Sequence, residues 1–373
     1  MRLTLPHMGH LWVTYKAVFN ELGVDLVLPP AFTLRTMTLG VKHSPEGLCI
    51  PFKLNLGNFI EALDQGADTI AQVGGTGVCR LGYYAKVQEM ILRDMGYDFE
   101  MMTTAISEKK FQGIIKLIRR LAGGAPWTKI IPAFKFGISK MSAIDTVEKR
   151  VQQVRARELE KGNASRILRQ AITAIDQAAS YETMRRARDE YLEKLLQVPQ
   201  DTEYQPLQVG VMGEFYVVLE PFSNLDVEAE LGKLGVEVHR SLFISDWVKF
   251  SLFLNPLGFN EKKAVQKAAI PYLARDVGGD GWESVGEKVY HAGHLDGLMH
   301  LAPFTCMPEI IAQNIMPSIK EDIPVLTLLF DEQTARSGMI TRLEAFVDLL
   351  KRRRNRSLAN VGGIHHAQLH IAA

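Results

Sequence analysis

Thr69-Ile70-Ala71-Gln72-Val73-Gly74-Gly75-Thr76-Gly77-Val78-Cys79-Arg80-Leu81-Gly82-Tyr83-Tyr84 is the stretch that decides the fold class. Its first five residues form a short apolar run suited to a buried strand, and the glycines that follow permit a tight turn with close backbone approach. Over residues 82–95 apolar side chains recur at three- and four-residue intervals, at Tyr84, Val87, Met90, Ile91 and Met95, which is the period of an amphipathic helix. Residues 98–102 then return to strand character. Short strands separated by helices of this length pair in parallel and are covered by helices on both faces.

The same alternation reaches back to the amino terminus, with strands expected at 2–6 and 25–28 and helices at 11–22 and 53–64. It resumes later, with strands expected at 208–218, 237–239, 298–302 and 325–330 and helices at 227–234, 309–320 and 342–352. Between these regions, residues 108–196 mix both charge signs on helical patterns and carry few strand signals. The expected fold class is therefore α/β: two similar parallel-sheet α/β domains, at 1–107 and 204–357, with a mainly helical insert or lid at 108–203. Residues 358–373 have little to bury and are expected to form a loose tail. Pro6-His7-Met8-Gly9 with Leu22-Gly23-Val24-Asp25 parallels Val211-Met212-Gly213-Glu214 with Leu234-Gly235-Val236-Glu237, and Cys49-Ile50-Pro51 echoes Cys306-Met307-Pro308. These parallels predict a duplicated domain with a cleft between the copies.

A net charge of +1 over 373 residues provides no bulk attraction to nucleic acid or an anionic membrane, and no nucleic-acid or membrane partner is expected. The first residues lack the plan of a secretory signal, and no apolar run approaches the roughly 18 residues of a membrane span. A cytoplasmic protein is expected. An odd count of three widely spaced cysteines argues against a disulfide framework.

Cys49, Cys79 and Cys306 are each expected just after a strand and just before a helix, where loops of a parallel sheet emerge at one edge and ligands bind. Pro51 and Pro308 follow two of them by two residues, as proline does in a first helical turn. A helix N-terminus stabilises thiolate, the form that holds a soft metal. Gly75 and Gly77 would allow something bulky to approach Cys79. A phosphate loop is the rival for that turn, but the lysine and Ser/Thr of a P-loop are missing. Three buried, unrelated thiols are the plainest alternative. A nucleophilic cysteine would need a base and an orienting partner, which none of the three shows locally. A zinc site would need a fourth ligand, with His7, His10 and His43 the nearest candidates. Three thiolates on an iron–sulfur cubane would leave one iron open as a Lewis acid. Lys53 and Arg80 are candidates for balancing cluster charge, and Glu46 and Glu309 for hydrogen bonding or proton transfer in the site.

At Ser44-Pro45-Glu46, Cys49-Ile50-Pro51-Phe52-Lys53 with Gly57, Gly77-Val78-Cys79-Arg80-Leu81-Gly82-Tyr83-Tyr84, and Pro303-Phe304-Thr305-Cys306-Met307-Pro308-Glu309, the chain resembles the 2-hydroxyacyl-CoA dehydratase and benzoyl-CoA reductase superfamily. The similarity is greatest to the branch of CoA-substrate-specific enzyme activase-related proteins. It implies a [4Fe-4S] cluster on Cys49, Cys79 and Cys306 between two α/β domains. It also implies low-potential reductive or radical chemistry on a CoA thioester or related small molecule. An ATP-dependent activator or other electron donor, and a homo- or hetero-dimer, are the implied partners. A cluster-carrying electron-transfer or assembly subunit and a structural zinc protein remain open as alternatives.

Overall fold

The structure is a computed structural model whose description covers residues 1–74, 78–103, 110–248 and 261–371, with side chains outside 110–114, 247–248, 261–262 and 357–371. It contains two four-stranded sheets, each parallel throughout. The first half runs β1 (Arg2–Thr4), α1 (Leu11–Leu22), β2 (Asp25–Leu26), α2 (Leu34–His43), α3 (Ile50–Asp64), β3 (Thr69–Gln72), α4 (Leu81–Asp94) and β4 (Glu100–Thr103). Four helices follow: α5 (Lys110–Leu121), α6 (Trp127–Arg157), α7 (Asn163–Gln177) and α8 (Tyr181–Leu196). The second half opens with β5 (Leu207–Gly213), α9 (Phe215–Leu219), α10 (Pro221–Asn224), α11 (Val227–Lys233) and β6 (Val236–Arg240). It continues with α12 (Ile244–Val248), α13 (Glu261–Ala269), α14 (Gly281–His291), β7 (Gly297–Pro303), α15 (Met307–Ile315), β8 (Val325–Phe330) and α16 (Arg336–Ile371). Among the described residues no helix is long and apolar enough to cross a membrane.

The strand orders are β2-β1-β3-β4 and β6-β5-β7-β8, the same arrangement twice. In each sheet the first strand in sequence is flanked by the second and the third, so the loops after the first and third strands diverge and leave a crevice at the carboxyl edge. The inner strands explain why the apolar runs were legible. Every residue of β3 and β7 is buried, as expected for a parallel strand covered on both faces. In the second half, Val209, Val211, Val238, Met299, Leu301 and Phe330 share a core with Leu343, Phe346 and Leu350 of α16. In the first, Phe52, Phe59 and Ile60 of α3 pack with Ile70 and Leu92.

Two expectations are revised. The strand expected at 208–218 stops at Gly213, whose φ of +131° and close approach to the Leu301 carbonyl end the extended run; Glu214 then caps α9. A helix not foreseen, α2, precedes the Cys49 loop, so Cys49 follows a helix and not a strand. The backbone helix of α16 runs as far as Ile371. The stretch between the sheets is helical, and Val147, Val151, Val154, Ile167, Ala171 and Ile175 of α6 and α7 share a core with Leu195 of α8. Helix α6 is the longest element of this stretch, running from Trp127 to Arg157. It packs on α1, where a Cβ on Gly137 would come within 2.7 Å of Val18, and it ties to the second half through Arg157–Glu237 and Glu148–Arg240, both at 2.5 Å.

Candidate functional site

The crevices of the two halves face one another across one partly open cavity. Pro6 and Met8 after β1 and Val73 after β3 line it from the first half; Glu214 to Tyr216 after β5 and Pro303 and Cys306 at the end of β7 line it from the second. Cys49, Cys79 and Cys306 all line this one cavity. Cys49 is the N-cap of α3 and Cys306 the N-cap of α15, each with proline in the first helical turn. Cys79 comes just before Arg80, the N-cap of α4. By place in the topology Cys306 therefore matches Cys79, both lying between a third strand and the next helix. Cys49 matches Asp280, the N-cap of α14, because α3 and α14 each lead into a third strand. The sequence echo between Cys49 and Cys306 is one of local capping chemistry.

Arg80 straps the loops together. Its guanidinium donates to the Gly47 carbonyl and to both the carbonyl and the hydroxyl of Thr305, while the Thr305 hydroxyl donates to the Gly47 carbonyl at 3.2 Å. Thr305 is held at φ +68°, a backbone conformation costly for a β-branched residue, immediately before Cys306. On the other side, a Cβ on Gly279 would lie 2.9 Å from Pro308 and 3.8 Å from the Cβ of Cys79, so the turn before α14 meets both cysteine loops. Cys49 Sγ and the hydroxyl of Tyr84 are 2.7 Å apart, both buried.

The electrostatics overturn one expectation. Helix N-termini were expected to lower the thiol pKa values, yet all three are raised, first of all by burial. Cys79 is pushed up to about 11, with Glu214, Cys49 and Asp280 adding to the effect of burial. Cys306 is raised by burial and by the Glu214 and Glu309 carboxylates, and Cys49 by burial, which outweighs its bond to Tyr84. Desolvation in an apolar cavity beside acidic groups exceeds the effect of the helix ends. These groups are thiols when nothing is bound, and binding a metal must release their protons.

The remaining expected site residues divide. Arg80 lines the cavity. Lys53 is buried in α3 outside the lining and is paired at 2.6 Å with Glu332, so its charge is spent on an ion pair. Glu46 is exposed on the turn before Cys49 and is not part of the lining. Glu309 is 1% exposed beneath α15, held by His300 Nε2 at 2.7 Å and the Ser284 hydroxyl at 2.9 Å, again outside the lining. Gly75 and Gly77 lie outside the described residues. His7 and His10, considered as fourth zinc ligands, face Glu220 and Glu148 instead. Among the described residues no three His, Cys, Asp or Glu side chains close on a point that could hold a single ion.

Sequence reasoning missed Glu214. This partly buried carboxyl lines the cavity, accepts from the Val217 N–H at 2.9 Å, and is pushed up to about 8 by desolvation and by Asp280 and Glu309. Its only sequence signal is its place at the turn after β5, in the repeated motif that parallels Gly9. Gln72 was missed as well: 2% exposed at the end of β3, it lines the cavity, and its side-chain oxygen has no hydrogen-bond partner among the described residues. No protein-family model matches the chain, and no curated protein sequence matches it.

Proposed function

We propose that the chain is an enzyme carrying a [4Fe-4S] cluster on Cys49, Cys79 and Cys306, and that it performs low-potential reductive or radical chemistry on a thioester or related small molecule. The observation that carries this is the convergence of all three thiols on a single cavity from two separate sheets. Three thiols lining one cavity match the three-cysteine donor set of a cluster that leaves one iron without a protein thiolate. A cavity beside the thiols also favours an enzyme over a sealed electron carrier.

A cluster held by Cys49, Cys79 and Cys306 would supply a one-electron store and Lewis acidity at the iron left without a thiolate. The protein's own contributions follow from its residues. Arg80 holds the Cys49 and Cys306 loops in register and places a cation near the Cys49 sulfur. Tyr84 hydrogen-bonds the Cys49 sulfur. Glu214 keeps a proton at the cavity wall near neutral pH. The electron enters from a separate donor, for which an ATP-dependent activator is one candidate, and the thioester is one to be supplied as its CoA ester.

Anaerobic purification followed by iron, sulfide and zinc analysis is the test. About four irons and four sulfides per chain are expected, with loss of most of both in Cys49→Ser, Cys79→Ser and Cys306→Ser. One equivalent of zinc without sulfide, or iron content unchanged in the Cys79 variant, ends the proposal.

A further inference from the structure

We infer that the cavity beside the thiols takes an uncharged, largely apolar molecule whose polar head offers a carbonyl oxygen to Glu214 and an N–H or O–H to Gln72, an inference that rests on the cavity being the active site. The walls set the body of the ligand. Leu5, Leu11, Tyr15, Leu117, Leu121 and Phe215 line the chamber, so most of what fills it must be hydrocarbon or aromatic.

Charge sets what is refused. Among the described lining residues Arg80 is the one cation, and its guanidinium is occupied by the Gly47 carbonyl and by the carbonyl and hydroxyl of Thr305. Glu214 lines the chamber beside the Val217 N–H, and desolvation there raises its pKa to about 8 so that at neutral pH it holds its proton. An ionised carboxylate entering this chamber would lose hydration and, among the described residues, find no available counter-charge. The polar groups set the head. A protonated carboxyl retains one O–H to donate even while its oxygens accept from the backbone of α9. Gln72, on the facing half, has a buried amide oxygen with no partner among the described residues, a deficit that a ligand donor would remove. A donor and an acceptor on two walls of one apolar chamber match a neutral amide or a hydroxy-carbonyl compound.

The test is calorimetric titration of the full chain, purified anaerobically, with butanamide, hexanamide and octanamide and with the matching carboxylates at pH 7.5. Amide affinity is expected to rise about fourfold per methylene until the chamber is full, the factor that burial of one CH₂ confers. Each carboxylate should bind at least tenfold more weakly. Gln72→Leu should weaken hexanamide at least fivefold while leaving the melting temperature of the free protein unchanged or higher. Leu121→Trp, which fills the chamber, should abolish binding. Carboxylates binding as well as amides, affinity independent of chain length, or no binding of octanamide would each overturn the inference. Iron and sulfide are measured on the same preparation. Binding without a cluster would sink the cluster proposal and leave this one standing, whereas a full cluster with no amide binding would sink this one alone.

Discussion

A single carboxyl at position 214 concentrates the chemistry of the cavity, and its energetics can be read through pH. Burial, Asp280 and Glu309 lift its folded-state pKa from 4.5 to about 8. A carboxyl whose folded pKa is raised contributes stability that is complete below its unfolded pKa and is lost as pH climbs through the folded one. The window is therefore about 4.5 to 8, and Glu220, raised by burial to about 7, adds a loss of the same sign over the lower part of it. Glu214→Gln keeps a side-chain oxygen for the Val217 N–H but cannot ionise. Between pH 5 and pH 9 the wild-type protein should lose a few kcal/mol more unfolding free energy than this variant, measured by urea denaturation at each pH. Equal losses would show that Glu214 is ionised with little penalty. Glu214 was not legible in the sequence, because a lone glutamate after a strand has no distinguishing pattern; its role comes from what the fold places around it. The cysteines were legible because there are only three and two carry a proline in the helical first turn. Lys53 misled for a related reason, since its partner Glu332 lies 279 residues away.

At the scale of elements, α2 and α3 show how contact overrides local preference. Helix α2 has three threonine-or-glycine interruptions in ten residues, at Thr36, Thr38 and Gly40, and such residues are weak helix formers. It is started by a reciprocal Thr33–Thr36 cap and held by close packing on α3. A Cβ on Gly40 would lie 1.8 Å from the Lys53 carbonyl oxygen, and one on Gly57 2.0 Å from that of Thr36. Gly57→Ala should therefore destabilise the protein by about 2 kcal/mol or more in chemical denaturation, because two backbones must separate. A cost below about 0.5 kcal/mol would mean that the helices slide apart freely. The loop that carries Cys49 joins these two helices, so their crossing sets where that sulfur sits. Arg80 does the same between loops. Arg80→Met should raise amide hydrogen exchange across residues 44–49 and 304–307 together while β7 stays protected, which mass spectrometry of the peptides would read. Faster exchange in only one of the two loops would contradict the strap.

Over the whole molecule, the alternation of strands and helices was sufficient to foresee two parallel sheets, since parallel pairing and buried inner strands both leave marks in sequence. What it did not foresee is which parts correspond: Cys79 with Cys306, and Cys49 with Asp280, correspondences that only strand order reveals. The two halves meet through a small number of buried polar contacts around the cavity. Tyr216 donates to the His7 carbonyl at 2.9 Å, the Gly9 N–H donates to Glu220 at 2.7 Å, and Lys53 pairs with Glu332 beyond β8. The last is the most exposed to a simple test. The Lys53 side chain is 5% exposed and that of Glu332 21%, so Glu332→Gln leaves a buried ammonium without its counter-ion. That should cost about 2 kcal/mol, less than for a fully buried pair because one partner is partly solvated. Lys53→Met with Glu332→Gln removes the charge as well and should recover most of the loss. If the pair joins the halves into one folding unit, circular dichroism and tryptophan fluorescence will follow a single coincident transition in the wild type. In Glu332→Gln the two signals should separate as the halves uncouple; coincident curves in that variant would place the coupling in the apolar contacts and in helix α6 instead.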